Sequence, residues 1–300
     1  MPSSRAGYDR GRDSLIEMDR AYRLLHRYAL VITALALIVI LAGAYITSTE
    51  VTARQAQSTV SGVISEAPHV ALSVALIILT LGAAIWSLRV KGVWVRTLAW
   101  AGFAMLALDG VLGWPGAPLS ATLAIFHALL AHLFLSVAVM IAMLTSASWN
   151  AESERVDDEG WSLLRPLALA TPAVVIIQIA LGAMYRHQTI GILGHLAGAM
   201  VATLLTLIVS AVVLQNFPKP APMRRAAAAL ISIVLTQICL GAAAFLMLVL
   251  NTAGTVAFLL ITVGHVAVGA ATLAASVVMA IQVARSLRPK ASDPAATESV

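Results

Sequence analysis

The strongest constraint on the fold is a run of residues, 226–284, that contains no aspartate, glutamate, lysine or arginine. A helix crosses a bilayer with about 20 mainly apolar residues, so this run is too long for one crossing and suits two. The sequence Asn251-Thr-Ala-Gly254 has the composition of a turn and predicts where the two crossings join. A run this long without charge indicates helices that lie in lipid.

The whole chain shares this character. Of its 300 residues, 60% are hydrophobic and 11% are charged, whereas soluble domains carry about 25% charged residues. We therefore predict an all-α integral membrane protein whose eight transmembrane helices form two similar four-helix bundles. The predicted spans are 29–48, 68–88, 95–113, 121–145, 166–185, 191–215, 226–250 and 255–284.

Positive charges predict the orientation of the spans. With both termini inside, the inner segments contain 17 of the 19 lysines and arginines, and only Arg54 and Arg186 lie outside. Cytoplasmic loops are enriched in these residues. We therefore predict a multi-pass protein of the cell's inner (plasma) membrane, surrounded by the lipid bilayer, with both termini in the cytoplasm. The cations form short clusters between apolar runs, so the net charge of +5 does not indicate binding to nucleic acid.

An acidic stretch between spans 4 and 5 divides the chain, and we interpret it as a solvated linker. The single cysteine, Cys239, excludes an intramolecular disulfide, a cysteine-based zinc site and an iron–sulfur cluster. The predicted parts are a cytoplasmic N-terminal segment (1–28), an N-terminal bundle (29–145), a cytoplasmic linker (146–165), a C-terminal bundle (166–284) and a cytoplasmic tail (285–300).

The two halves contain similar motifs. Span 5 contains Gln178-Ile-Ala-Leu-Gly-Ala183, span 7 contains Gln237-Ile-Cys-Leu-Gly-Ala242, and span 3 has the looser Asp109-Gly-Val-Leu-Gly113. Spans 6 and 8 contain Gly194-His195-Leu-Ala197 and Gly264-His265-Val-Ala267. Odd spans therefore carry a Leu-Gly motif and even spans carry a histidine. Small residues let membrane helices approach closely, so the glycines alone require no functional explanation.

Each even span contains one histidine in its outer part, at His69, His127, His195 and His265, with spacings of 58, 68 and 70 residues. An imidazole in hydrocarbon is costly and usually functional. Because the even spans all run in the same direction, the four rings are expected at similar depth. Two histidines on facing helices can bind one haem iron from both sides, and helix bundles commonly house such a cofactor. The alternative is four unrelated residues, each hydrogen-bonded to a neighbouring helix.

The two predicted pairs, His69 with His127 and His195 with His265, differ in their surroundings. Glu66 lies three residues before His69, on the same helical face, and an acid beside a haem edge can handle protons. Its alternative interpretation is an interfacial residue at a helix N-terminus, where negative charge is favoured.

Four further polar residues lie near the predicted pairs. Arg186 and His187, at the outer end of span 5, can contact haem propionates, since the guanidinium group suits carboxylates. Asp109 is the only acid within an apolar span and either reaches water or serves a function. His132 is interpreted as a packing or polar-network residue rather than a ligand.

With these features the chain resembles the haem A synthase family over about residues 22–284. The resemblance comes from eight spans in two similar halves, a histidine in each even span, and the signature Glu66-Ala-Pro-His69. Two further segments are similar to the family. They are Arg23-Leu-Leu-His-Arg27, before span 1, and the end of span 5, through Arg186-His187.

The resemblance implies an enzyme that oxidises a ring methyl group of haem O to the formyl group of haem A, with oxygen derived from water. It implies that His69 and His127 flank the substrate haem O, with Glu66 as the essential acid, and that His195 and His265 ligate haem b. Haem O synthase and an electron acceptor are the implied partners, and a homo-oligomer is left open.

The chain departs from the family pattern in having Val70, rather than arginine, directly after His69, and in lacking the cysteine pairs of many members. These departures leave a second interpretation open, a b-type membrane cytochrome that transfers electrons without making haem A. A transporter is a third interpretation, because repeats are common in transporters, but the spans lack obvious broken helices.

Overall fold

The computed structural model describes residues 3–55, 66–90, 92–114, 120–150, 154–158 and 160–288. Eight of the helices in these ranges are long and apolar enough to cross a membrane. This confirms the prediction of an all-α protein with eight spans. The helices are α1 (Ser3–Gln55), α2 (Ala67–Ser87), α3 (Val93–Leu112), α4 (Ala121–Leu144), α5 (Leu164–Arg186), α6 (Ile192–Asn216), α7 (Ala221–Val249) and α8 (Val256–Ser286).

The ends of the helices follow from local sequence. Pro68 lies in the first turn of α2, where a missing N–H group has no cost. At the start of α4 the Ser120 hydroxyl accepts a hydrogen bond from the Leu123 N–H (3.3 Å), and at the start of α8 Thr255 accepts one from Phe258 (3.3 Å). Such caps satisfy donors that the first turn leaves unpaired.

The main difference from the predicted boundaries is in α1. This helix runs from Ser3 to Gln55, well beyond both ends of the predicted span 29–48. Arginine, leucine and alanine all favour helix, so charge ends the apolar span without ending the helix. The predicted N-terminal segment 1–28 is therefore largely a continuation of α1.

The eight helices pack as two rings of four. Helices α1, α2, α3 and α4 contact one another in sequence, and α4 returns to α1; α5 to α8 repeat this arrangement. The two rings meet where α1 contacts α8, α4 contacts α8, and α4 contacts α5. Exchanging one half for the other preserves these contacts, so the fold has an approximate two-fold symmetry that matches the sequence repeat.

Each ring has a buried core. In the C-terminal bundle it is formed by Leu164, Val213, Phe217, Met223, Leu230 and Val283, which lie toward the start of an odd helix or the end of an even one. The core of the N-terminal bundle includes Leu25, Phe134 and Ile141 but also reaches Leu76, near the middle of α2, and Leu106, in the second half of α3. The end where odd helices finish and even helices begin is called the histidine end below.

The linker between the halves is more closely attached than the sequence predicted. After a helical turn at Ala147–Asn150, strand β1 (Val156–Asp157) pairs in parallel with β2 (Leu287–Arg288), directly after α8. The Arg285 guanidinium lies 4.3 Å from the centre of the Trp149 ring. Backbone pairing and a cation–π contact therefore attach this segment to the end of the last helix.

Acidic side chains of the linker lie near cations. A carboxylate oxygen of Glu154 is 3.6 Å from Lys219 Nζ, and one of Asp157 is 3.9 Å from Arg288 Nε. Exposed pairs of this kind contribute little stability. They indicate a charged surface at this end rather than a binding patch. The other predicted linker acids, Glu152 and Glu159, lie outside the described residues.

Candidate haem-binding sites

The fold brings the four histidines together in the two pairs predicted from the sequence. The rings of His69 on α2 and His127 on α4 have centroids 6.3 Å apart and an interplanar angle of 77°. The rings of His195 on α6 and His265 on α8 are 6.2 Å apart at 81°. The two pairs have nearly the same ring separation and nearly perpendicular rings, so the same local arrangement occurs in both bundles.

Each ring fits against a glycine of the preceding odd helix. A methyl group added at that glycine would lie 2.7–3.2 Å from the imidazole Cε1 atom, which is closer than side chains normally pack. A larger residue at this position would therefore have to move the ring. The pairs are Gly43 with His69, Gly113 with His127, Gly182 with His195, and Gly241 with His265.

The residue four positions before each glycine lies one helical turn away and can reach the same histidine. In three of the four places this residue is polar: Asp109, Gln178 and Gln237 all contact their histidine. In the fourth place it is aliphatic, Val39. The glycine thus leaves space for the ring. The residue one turn before it gives three of the histidines a polar side chain to contact and gives His69 none.

In the N-terminal bundle the two histidines have unequal partners. His127 Nδ1 lies 2.9 Å from the Asp109 Oδ1 atom and donates to the Asp109 backbone carbonyl at 3.3 Å. Asp109 is only 6% exposed, so the alternative that it reaches water was wrong. The His69 Nδ1 atom, in contrast, is buried and makes no hydrogen bond.

In the C-terminal bundle both partners are amides. Gln178 Nε2 lies 3.0 Å from His195 Nδ1 and donates to the His195 backbone carbonyl at 3.0 Å. Gln237 Nε2 lies 3.2 Å from His265 Nε2, while the buried His265 Nδ1 makes no hydrogen bond. Tyr185 stacks on the His195 ring, with centroids 6.4 Å apart. All four imidazoles in the two bundles therefore retain a nitrogen without a side-chain partner, as ligation of a metal requires.

Several helices have few buried residues near the pairs. No residue of α6 from Ile192 to Val201, and none of α7 from Leu235 to Val249, is buried. The first eleven residues of α4, 121–131, are likewise not buried, although almost all those from His132 to Ala142 are. On these three helices the buried residues are therefore concentrated away from the histidine end.

Each histidine pair could supply the two axial ligands of a haem iron. Within the part of the chain that the structure describes, no group of three or more histidine, cysteine, aspartate or glutamate side chains could hold a metal ion. Haem iron needs only one or two axial ligands from the protein, because the porphyrin supplies the rest. Bonds of about 2 Å from a metal to each imidazole also agree with ring centres about 6 Å apart.

The remaining predicted site residues occupy the same end. Glu66 is the exposed residue that precedes α2, and its side chain does not cap the helix. Arg186 Nη2 donates to the Ala44 carbonyl at 2.6 Å and to the Ser48 hydroxyl, across the joint between the bundles. His187 ends α5.

Two other residues clarify which polar groups belong to the sites. His132 is buried, and its Nδ1 donates to the Ala128 carbonyl of its own helix at 2.7 Å, in agreement with its interpretation as a packing residue. Sequence reasoning missed Gly43, because Ala42 stands where the other odd helices have leucine. The polar residue found four positions before each of the other three glycines is also missing, since Val39 stands there.

A scan against protein-family models finds no match to this chain, and no curated protein matches it.

The glycine contacts generate a stability prediction. Gly241→Ala places a methyl group 3.0 Å from His265 Cε1, whereas the matched control Gly264→Ala, next to the same histidine, has no neighbour closer than 3.9 Å. Overpacking typically costs about 1–3 kcal/mol, so Gly241→Ala should lower the midpoint of thermal unfolding in detergent and Gly264→Ala should not. Equal midpoints for the two variants would contradict the close fit.

Proposed function

We propose that this protein is a haem A synthase, an oxidoreductase that converts a methyl group of its substrate haem O to the formyl group of haem A. The overall change adds the oxygen of one water molecule to the methyl carbon and releases four protons and four electrons. The observation that carries the proposal is the presence of two histidine pairs of matching geometry in one chain, which provides one place for a substrate haem and another for an electron carrier.

In this proposal His69 and His127 hold haem O, and His195 and His265 hold haem b. The bound haem b supplies one-electron redox chemistry. The glycines fix how far each imidazole projects into the bundle, and the porphyrins lie at the histidine end. Support comes from the ring separations, from the nitrogen that each ring keeps without a side-chain partner, and from the sequence resemblance.

The N-terminal pair is assigned to the substrate because acids lie only on that side. Glu66, exposed beside the start of α2, accepts protons as the methyl group is oxidised and passes them to water. In the C-terminal bundle the contacts to the histidines come from Gln178, Gln237 and Tyr185, which suit a site that exchanges electrons without moving protons.

Arg186 and His187 are proposed to contact haem propionates. Arg186 already reaches from α5 to Ala44 on α1, the residue directly after Gly43. Its guanidinium is therefore near the joint between the two sites, and its fork of donors suits carboxylates. Thr262 of α8 donates to the same Ser48 hydroxyl at 3.3 Å, which further ties the bundles together at this depth.

The lipid bilayer is the setting for this chemistry, because the eight candidate spans suit a multi-pass membrane protein. We propose the inner (plasma) membrane, with both termini in the cytoplasm, on the basis of the charge distribution. A haem O synthase is the proposed supplier of the substrate. A one-electron acceptor on or in the membrane is needed to remove the four electrons.

A b-type membrane cytochrome is the second candidate. It is favoured by the near identity of the two pairs, whose ring separations differ by only 0.1 Å (6.3 against 6.2 Å). In that case both pairs would hold haem b and Glu66 would be an ordinary interfacial acid. The two functions differ in their product, which the following experiment measures.

Deletion of the gene, in a strain with no second copy, should cause haem O to accumulate and haem A to disappear. The reason is that the methyl oxidation would then have no catalyst, while haem O is still supplied. Haem extraction and chromatography of membranes measure both species, and a plasmid copy should restore haem A. Normal haem A in the deletion strain would contradict the enzymatic proposal.

His195→Ala and His265→Ala should each remove haem b while leaving most of the fold intact. Each substitution deletes one axial ligand from the C-terminal site, but both residues lie outside the buried core. Visible spectra of the purified variants measure the low-spin signal, and His132→Ala on the other bundle is a control for the loss of a histidine that is not a ligand. Retention of the full low-spin spectrum in both ligand variants would disprove the pairing.

Glu66→Ala should abolish methyl oxidation and leave haem binding largely unchanged, because the exposed carboxylate acts on protons and is not a ligand. Haem content and haem A formation are measured on the same preparation. Glu154→Ala, an acid at the opposite end of the molecule, should have no effect on either. Full activity of Glu66→Ala would remove its assigned role.

A further inference from the structure

The four histidines occupy equivalent positions in the repeated helices, but the residues that contact them differ in charge. Each has a glycine facing the ring and a defined residue one turn earlier on the same odd helix. Those residues are Val39, Asp109, Gln178 and Gln237, so only His127 has a carboxylate partner.

Asp109 places a buried carboxylate within ion-pair distance of a candidate metal ligand, although its Oδ1 atom accepts no well-aligned hydrogen bond. The carboxylate Oδ1 is 2.9 Å from Nδ1, the nitrogen on the side of the ring away from Nε2. A metal-bound histidine commonly donates its second N–H group to a carboxylate, which fixes the ring and makes the ligating nitrogen more basic. Because Asp109 is buried, water screens its negative charge much less than it would at the surface.

The partner histidine provides the contrast. Val39 occupies the position that corresponds to Asp109, and His69 Nδ1 has no hydrogen bond. In the C-terminal bundle the neutral amides of Gln178 and Gln237 replace the acid. A negative charge at one ligand favours ferric over ferrous iron, and among the described residues only the N-terminal site has such a charge in contact with a candidate ligand.

We propose that Asp109 is a positioning residue that acts through His127 to lower the midpoint potential of the N-terminal haem below that of the C-terminal haem. This inference rests on the proposed haem sites. Its consequence is directional: electrons released by oxidation in the N-terminal bundle pass to a carrier of higher potential in the C-terminal bundle, and not in reverse.

The test is a spectroscopic redox titration of purified full-length wild type, Asp109→Asn and Gln178→Glu. Asparagine keeps an oxygen facing His127 and removes only the charge. We expect the N-terminal haem to shift by at least tenfold toward the ferrous form at a fixed potential, which is 59 mV for a one-electron couple. The C-terminal haem, identified as the component lost in His195→Ala, is the internal control and should not move.

Gln178→Glu is the reverse of Asp109→Asn, because it adds a negative charge beside a histidine instead of removing one. It places a carboxylate at the equivalent position beside His195 and should shift the C-terminal haem toward the ferric form, leaving the N-terminal haem unchanged. A residue with a merely structural role would not produce opposite shifts confined to opposite sites.

The outcomes separate this inference from the proposed function. Two bound haems with potentials unchanged in Asp109→Asn would overturn the inference alone. The predicted shifts in a protein that makes no haem A would support the inference and favour the cytochrome. Wild-type protein with no haem in the N-terminal bundle would overturn both the inference and the proposed function.

Discussion

The contact between a glycine of one helix and the imidazole edge of the next is the constraint on which the rest of the structure depends. It occurs once between each odd helix and the even helix that follows. The glycine sets the depth at which the ring enters the bundle, and helical periodicity then determines which residue stands one turn away. Ring spacing, ring partner and the room around each pair all follow from where that glycine is placed.

In the C-terminal bundle, the buried core and the histidine pair lie at opposite ends of the helices. In the C-terminal bundle the buried core occupies the end where odd helices begin, with residues such as Val213 and Leu230, and in the N-terminal bundle it extends from that end to mid-helix residues such as Leu76. Close packing there fixes the eight helices relative to one another. The histidine end is where we propose that haem binds.

Much of this architecture was predictable from sequence, because hydrophobic length and charge decide whether a segment crosses a membrane. The eight spans agree with the structure to within a few residues, apart from the starts of α1 and α7. The histidine pairs were also predictable, since equivalent positions in repeated helices come to equivalent places. The start of α1 was not, because helix propensity continues where hydropathy ends.

Other features depend on tertiary contacts that no local pattern specifies. Asp109 looked able to reach water near a helix end, but the neighbouring helix covers it and His127 is its partner. The pairing of β1 with β2 joins segments about 130 residues apart, a separation at which two-residue strands leave no readable signal. Gly43 escaped notice because its flanking residue differs from those of the other three glycines.

The most direct measurement of the central claim is haem extraction and mass analysis of the protein purified from a host that makes haem O. The account predicts two haems for each chain, one recovered as haem b and the other as haem O or haem A. Protein that is fully folded and holds no haem, or that holds haem b alone in both bundles, would contradict it.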